Sequence, residues 1–193
     1  KAAQRNGDRT VRLREKRGSR SRPTGNTHLS GAEAHWVGPP DMGLKQMMEQ
    51  VNLARLPHVV RAASMMRRCV NESLAVARGR SAVGRDVIEF PLMRRQLVKM
   101  IVPTEQALSM AMCTADALGR NAREELRILT GLLKFRACRD NVPVAIGAME
   151  ARGGNGAIQD WVNPLLVRDD PIGWWWEEGG RRRCRPGHPS GPR

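Results

Sequence analysis

PLMRRQLVKMIVPTEQALSMAMCTADAL, residues 91–118, carries Leu97, Ile101, Thr104, Leu108, Ala111, Ala115 and Leu118 at spacings that alternate between four and three. That alternation sets the seven side chains along one stripe of an α-helix, which is the repeat of a bundle seam. It predicts a helix over 91–118 packed lengthwise against other helices.

Toward the C-terminus, Leu126, Leu129, Leu133, Ala137, Val144 and Ala148 fall broadly on one face of a run from about Arg123 to Arg152. The run stops at Gly153-Gly154, a strong helix terminator. Toward the N-terminus, Asp41 can cap a long amphipathic run. Its apolar positions include Leu44, Met47, Met48 and Val51, then Val59, Ala62, Ala63, Met66, Val70 and Leu74, with a kink expected at Pro57. Three long helices joined by short loops imply an antiparallel up-down bundle, which calls for a fourth helix. The stretch left to supply it is weak. From Trp174 it becomes a tryptophan triplet, then Gly179-Gly180, three arginines and Pro/Gly, and does not read as a helix. Met47, Met48, Met65, Met66, Met100, Met110 and Met112 read as adaptable core.

Residues 9–38 have β character. Val11 and Leu13 alternate with Arg12 and Arg14, and Gly18, Pro23-Thr24-Gly25-Asn26 and Gly31 punctuate short segments, giving two or three strands. So few strands do not make an independent sheet, and a partner sheet is implied elsewhere. The expected fold is therefore mainly α, an up-down helical bundle over 41–178 preceded by a short β remnant over 1–40. A basic Gly/Pro-rich tail, read as disordered, covers 179–193.

The 193 residues suffice for one domain with a sizeable core plus a fragment. The formal charge of +14 looks like a nucleic-acid signature until it is located. Residues 1–30 hold nine Lys/Arg against Asp8 and Glu15, and residues 181–193 hold five Arg and no acid, so the middle of the chain is nearly neutral. Charge at the ends fits non-specific polyanion adhesion better than a groove built into a folded body. Cys69, Cys113, Cys138 and Cys184 form no C-x-x-C pair, and the four histidines do not cluster with them, so neither zinc nor a disulfide framework is indicated. The first three cysteines read as small buried hydrophobes in a reducing compartment, hence a cytoplasmic protein. No apolar run approaches the ~20 residues needed to span a bilayer, and no signal-peptide core stands at the start.

Three separated segments carry the functional signal. They are Ala77-Arg78-Gly79-Arg80-Ser81-Ala82-Val83-Gly84-Arg85 between the first two helices, Glu150-Ala151-Arg152-Gly153-Gly154-Asn155-Gly156 at the end of the third, and Arg168-Asp169 followed by Trp176-Glu177. Alone, each reads as a solvated turn, a helix cap or a surface carboxylate. In this order and spacing they resemble the C-terminal helical domain of the acyl-CoA dehydrogenase family, with its A-R-x-x-F-G turn, Q-x-x-G-G-x-G turn, R-D pair and Y/W-E-G-T end. Lys16–Ser21, Thr24-Gly25 and Val37-Gly38 look like the last strands of that family's middle β domain, so the resemblance covers about 170 residues. Met65–Arg68, Pro91–Arg94, Leu129-Thr130 with Lys134, and Trp176-Glu177 look most like its alkylation-response branch.

The resemblance implies a FAD-dependent α,β-dehydrogenation of acyl-CoA thioesters, in which a flavin takes hydride from the β-carbon while a glutamate removes the weakly acidic α-proton. It assigns that glutamate to Glu177. A carboxylate against Trp174–Trp176 would be partly desolvated and its pKa raised. Arg80 matches the arginine that reaches the FAD pyrophosphate of a neighbouring subunit, where a guanidinium fork suits phosphate oxygens. Gly153 and Gly154 match the turn whose backbone lies close to the same cofactor. Arg55, after Asn52, matches an arginine near the substrate site. Sharing of this kind implies a homo-oligomer, a tetramer by resemblance.

Departures accompany the matches: Val83 stands for the usual Phe, Glu150 for Gln, and Glu178-Gly179 for Gly-Thr. Gly179–Arg193 reads as the product of a shifted frame, and the family's N-terminal helical domain and most of its β domain are outside these residues, so little turnover is expected of this chain alone. The competing expectation is a non-catalytic helical interaction module whose basic termini bind DNA or another polyanion.

Overall fold

The structure, a computed structural model, describes residues 7–181, with side chains described through residue 173. The chain forms two compact units that divide between Val51 and Asn52.

In the first unit, β1 (Asp8–Leu13) pairs antiparallel with β2 (Gly25–Leu29), Asp8 opposite Leu29 and Leu13 opposite Gly25, with a register shift between Thr10 and Arg12. Every residue of both strands is exposed, Val11, Leu13 and Leu29 included. This is the ribbon expected from the sequence, at the lower of the two strand counts. A turn of 3-10 helix at Pro40–Met42, with proline at its start where a missing N–H costs nothing, leads into α1 (Gly43–Gly79). The first turns of α1 do not form the expected core: Leu44, Met47 and Met48 are exposed. A two-stranded ribbon has too little apolar surface to cover them.

In the second unit, the rest of α1 is followed by the short hairpin β3 (Ser81–Ala82) and β4 (Arg85–Asp86). Then come α2 (Pro91–Gly119), α3 (Arg123–Arg152) and α4 (Asn163–Arg181). α3 lies against both α2 and α4. The core takes Val59, Met66 and Val70 from α1, Leu97 and Met100 from α2, Leu133 and Val144 from α3, and Leu166 from α4. The mainly α fold and the three long helices are as the sequence predicts, and α1 continues through Pro57.

Three expectations are corrected. The fourth helix is α4, whose backbone stays helical through Trp174–Trp176 and Gly179-Gly180. Two glycines cost about 1 kcal/mol each relative to Ala, too little to stop a helix anchored in its first half by buried Leu166 and Asp170. The tail beyond Arg181 lies outside the described residues.

The seam of α2 is the second correction. It buries Leu97, Met100, Thr104, Ala107, Ala111, Thr114 and Ala117, while Leu108, Ala115 and Leu118 are exposed and Ile101 is half-buried. Helices that approach closely need small side chains at the contact. A Cβ on Gly147 of α3 would stand 2.5 Å from Gln96 Nε2 and 3.3 Å from Met100 Sδ, which shows how little room the α2–α3 contact leaves. Third, Met112 and Cys113 are exposed rather than buried, whereas Cys69 and Cys138 are in the core. Cys184 lies outside the described residues.

Candidate functional site

Arg80 sits where α1 ends, and its backbone is pinned on both sides. Its N–H donates to Val76 O at 3.1 Å and its carbonyl accepts from Val87 N at 2.9 Å. The hairpin that follows pairs Ser81 with Asp86 and Ala82 with Arg85, leaving Val83 (φ 52°) and Gly84 (φ 73°) as the two turn residues. Positive φ at both is the two-residue hairpin turn that matches strand twist. Valine is a poor occupant of that region, because its branched Cβ crowds the backbone. Ser81 Oγ donates to Asp86 Oδ1 at 2.7 Å and staples the base of the turn.

At the end of α3, Gly153 adopts φ 71° and ψ −146°, and its N–H closes on Glu150 O. A Cβ there would lie 3.3 Å from Arg80 Nη1. Gly156 is equally constrained, since its Cβ would meet Met149 O at 2.2 Å. The structure thus brings together Arg80, Gly153 and Gly154, three of the residues picked out by the resemblance, although more than 70 positions separate them. Arg80 and Gly154 border a cleft of about 600 Å³, lined also by Glu72, Arg152, Asn155 and Trp161. No hydrogen bond or ion pair with another described residue engages the Arg80 guanidinium. Next to Gly154 the space is open.

Arg152 is the residue that sequence reasoning missed. It is 8% exposed, its Nη2 donates to a Glu72 carboxylate oxygen, its Nε donates to Asn163 Oδ1 at 2.7 Å, and its guanidinium lies 4.3 Å from the Trp161 ring centroid. Glu72 also accepts from Arg68 Nε at 2.9 Å. No spacing rule links Arg152 to Glu72, because the pair spans 80 residues and three helices meet there.

Of the other predicted positions, Arg55 does not line this cleft. Arg55 lies earlier on α1, half-buried, and donates from Nη1 to Asn52 Oδ1 at 3.0 Å. Glu177 stands on the backbone of α4, and its side chain, like those of Trp174–Trp176, lies outside the described residues. In the same helix Asp170 is 1% exposed. Asn141 Nδ2 donates to its Oδ1 at 2.7 Å, while Oδ2 has no hydrogen-bond partner among the described residues. Burial pushes this carboxyl up to about 8, more than Asn141 and the Arg61 charge pull it down. Burial, with the nearby Asp170 adding to it, pushes the Cys69 thiol up to about 12, so it stays an inert neutral thiol.

Apart from the half-buried Lys16, the described basic residues of the N-terminal ribbon are exposed, and several are tied locally: Arg14 to Asn26, Lys16 to Ser19 and the Arg22 carbonyl, Arg20 to the Lys16 carbonyl. Among the described residues no group of His, Cys, Asp and Glu is suited to hold a metal, and no helix is long and apolar enough to cross a membrane.

The model of the acyl-CoA dehydrogenase C-terminal domain matches residues 41–180. The chain belongs to the acyl-CoA dehydrogenase family. Among relatives of that family, AidB of Escherichia coli is 30% identical over 173 residues, 88% of this chain and 32% of its own length. Acyl-CoA dehydrogenase family member 11 of Caenorhabditis elegans is 29% identical over 175 residues, 86% of this chain and 28% of its own. The solved structure of Caenorhabditis elegans ACDH-11 in complex with C11-CoA shares the fold with a TM-score of 0.83 and 29% identity, over 89% of this chain and 30% of that one. The chain therefore spans under a third of the length of these curated relatives. The family read from the spaced motifs is the one found, and AidB stands on its alkylation-response side.

Proposed function

We propose that this chain is the part of a FAD-dependent acyl-CoA dehydrogenase that closes the cofactor site and supplies the catalytic base. Arg80 and the Gly153-Gly154 turn hold the phosphates of FAD, Arg55 lies toward the acyl-CoA substrate, and Glu177 removes the α-proton. The flavin supplies hydride acceptance from the β-carbon, so the substrate leaves as an α,β-unsaturated thioester. One observation carries the reading: an uncommitted guanidinium beside a turn of glycines, on an open cleft. No described residue neutralises Arg80, and a phosphate oxygen is the partner that its fork fits. A glycine backbone with no Cβ in the way lets a phosphate approach the amides.

The reading includes a homo-oligomer, a tetramer, in which the cofactor is shared between subunits, and a cytoplasmic setting. Because the relatives are about three times longer, turnover rests on further segments as well as on these residues, and the cofactor site is the feature to test. The measurement is the visible absorbance of the purified chain after incubation with FAD and removal of the excess. Retained flavin in the wild type, lost in Arg80→Ala, is the expected result. Flavin retained equally by both removes Arg80 from the site.

A further inference from the structure

The cleft contains two arginines in opposite states. Arg80 is exposed and has no described partner. Arg152 has three: Glu72 from α1, Asn163 at the start of α4, and the face of Trp161 in the segment between α3 and α4. Two of its nitrogens are spent on protein oxygens and one face of its plane is covered by an indole, so little of it is left for a ligand. A charge this deeply buried survives only when it is paired and hydrogen-bonded, and here it is both.

The arrangement looks back along the chain as well. Arg152 is the last residue of α3, immediately before Gly153. The 3-10 turn Gly153–Ala157 that follows has no side-chain cap. Gly156 is buried against Met149, but Gly153 and Gly154 offer no side chains to pack against the helices, so the first half of the turn depends on what anchors its start. Arg152 is the anchor at the start of the turn, and Trp161, held under the guanidinium, is the anchor beyond it.

We infer that Arg152 is a positioning residue: by bridging Glu72, Asn163 and Trp161 it holds the Gly153–Ala157 turn where its backbone and the free guanidinium of Arg80 address the same anionic ligand. The inference rests on the reading of this cleft as the phosphate-binding part of the FAD site. It separates two roles that the charge alone does not: Arg80 contacts the phosphate and Arg152 fixes the geometry. Lysine keeps the charge of Arg152 but not its planar fork, so it cannot reach both oxygens while lying flat on the indole.

The test compares Arg152→Lys with Arg80→Ala, with Glu72→Gln as a milder second variant. Amide hydrogen exchange across 153–157 is followed without ligand, and FAD affinity is followed by titration. Arg152→Lys and Glu72→Gln are expected to speed exchange at 153–157 by about tenfold or more while α2 is unchanged, and to weaken FAD binding by about tenfold. Arg80→Ala is expected to weaken FAD binding and leave the exchange alone. Unchanged exchange at 153–157 in both variants overturns the inference, and so does a uniform rise through all four helices, which marks a general structural role. Faster exchange with undiminished FAD affinity overturns it too, provided that Arg80→Ala has lost affinity. If the wild type takes up no FAD, or Arg80→Ala binds it as well as wild type, the cofactor reading of the cleft fails. The exchange comparison still decides whether Arg152 holds the turn.

Discussion

Arg152 at the end of α3 and Asp170 in α4 are both charged by type and nearly sealed from solvent, at 8% and 1% exposure, but the bundle treats them in opposite ways. Arg152 has a carboxylate, an amide oxygen and an aromatic face. Asp170 has one amide donor, a more distant guanidinium and an unpartnered oxygen. For the first group the fold supplies a counter-charge and hydrogen-bond partners. The second is protonated more readily than in water, because desolvation outweighs what Asn141 and Arg61 return. A buried polar group is thus no single category. One ties a turn beside a cleft to three helices, and the other is a stability liability inside the bundle.

The largest test of that contrast is pH. The folded pKa of Asp170, about 8, stands above its ordinary value of 3.8, so between these values the folded state binds the extra proton. Stability from this group is fully present below pH ~4 and is lost as pH rises through about 8. The ceiling is on the order of 6 kcal/mol, from about 1.4 kcal/mol per pKa unit. Denaturant melts of wild type and Asp170→Asn from pH 5 to 9 are expected to diverge, the variant gaining relative to wild type as pH rises. Parallel curves would show that Asp170 is no liability.

Next comes Arg152→Ala, which leaves Asn163 with neither polar atom bonded to a described residue and strips a buried counter-charge from Glu72. Breaking a buried pair costs about 3 kcal/mol, so the midpoint of a urea melt should fall clearly at unchanged slope. A loss no larger than that of an exposed arginine would erase the distinction between the two sites. Smaller still is Gly153→Ala, expected to cost about 1 kcal/mol because φ 71° is strained for any residue with a Cβ, while Gly154→Ala, at ordinary φ and facing open space, is expected to be near neutral. The smallest effect on stability is that of Arg80→Ala, which should leave the melt unchanged and show only in flavin retention.

Much of the fold was legible in the chain. The boundaries of α2 and α3 follow from apolar periodicity and the Gly-Gly stop. Arg80, Gly153 and Gly154 were identifiable because their motifs keep order and spacing, whereas Glu72, Trp161 and Arg152 carry no local signal. The rest of the seam reading failed for a specific reason. Leu108 and Leu118 are better hydrophobes than Ala107 and Ala117, so they draw a stripe to themselves, yet past Met100 the buried face of α2 is made of the smaller Thr104, Ala107, Ala111, Thr114 and Ala117.

By itself, then, the sequence determined that this protein has long amphipathic helices, where three of them run, and to which family its spaced motifs belong. Only the tertiary structure decided which face of α2 is inside, that α4 continues through its glycines, that Arg152 is an internal anchor and that Asp170 is buried. Helical periodicity is a property of neighbours one or two turns apart and is written in the local chain. A contact face and a counter-charge depend on residues tens of positions away, and they exist only once the helices have packed.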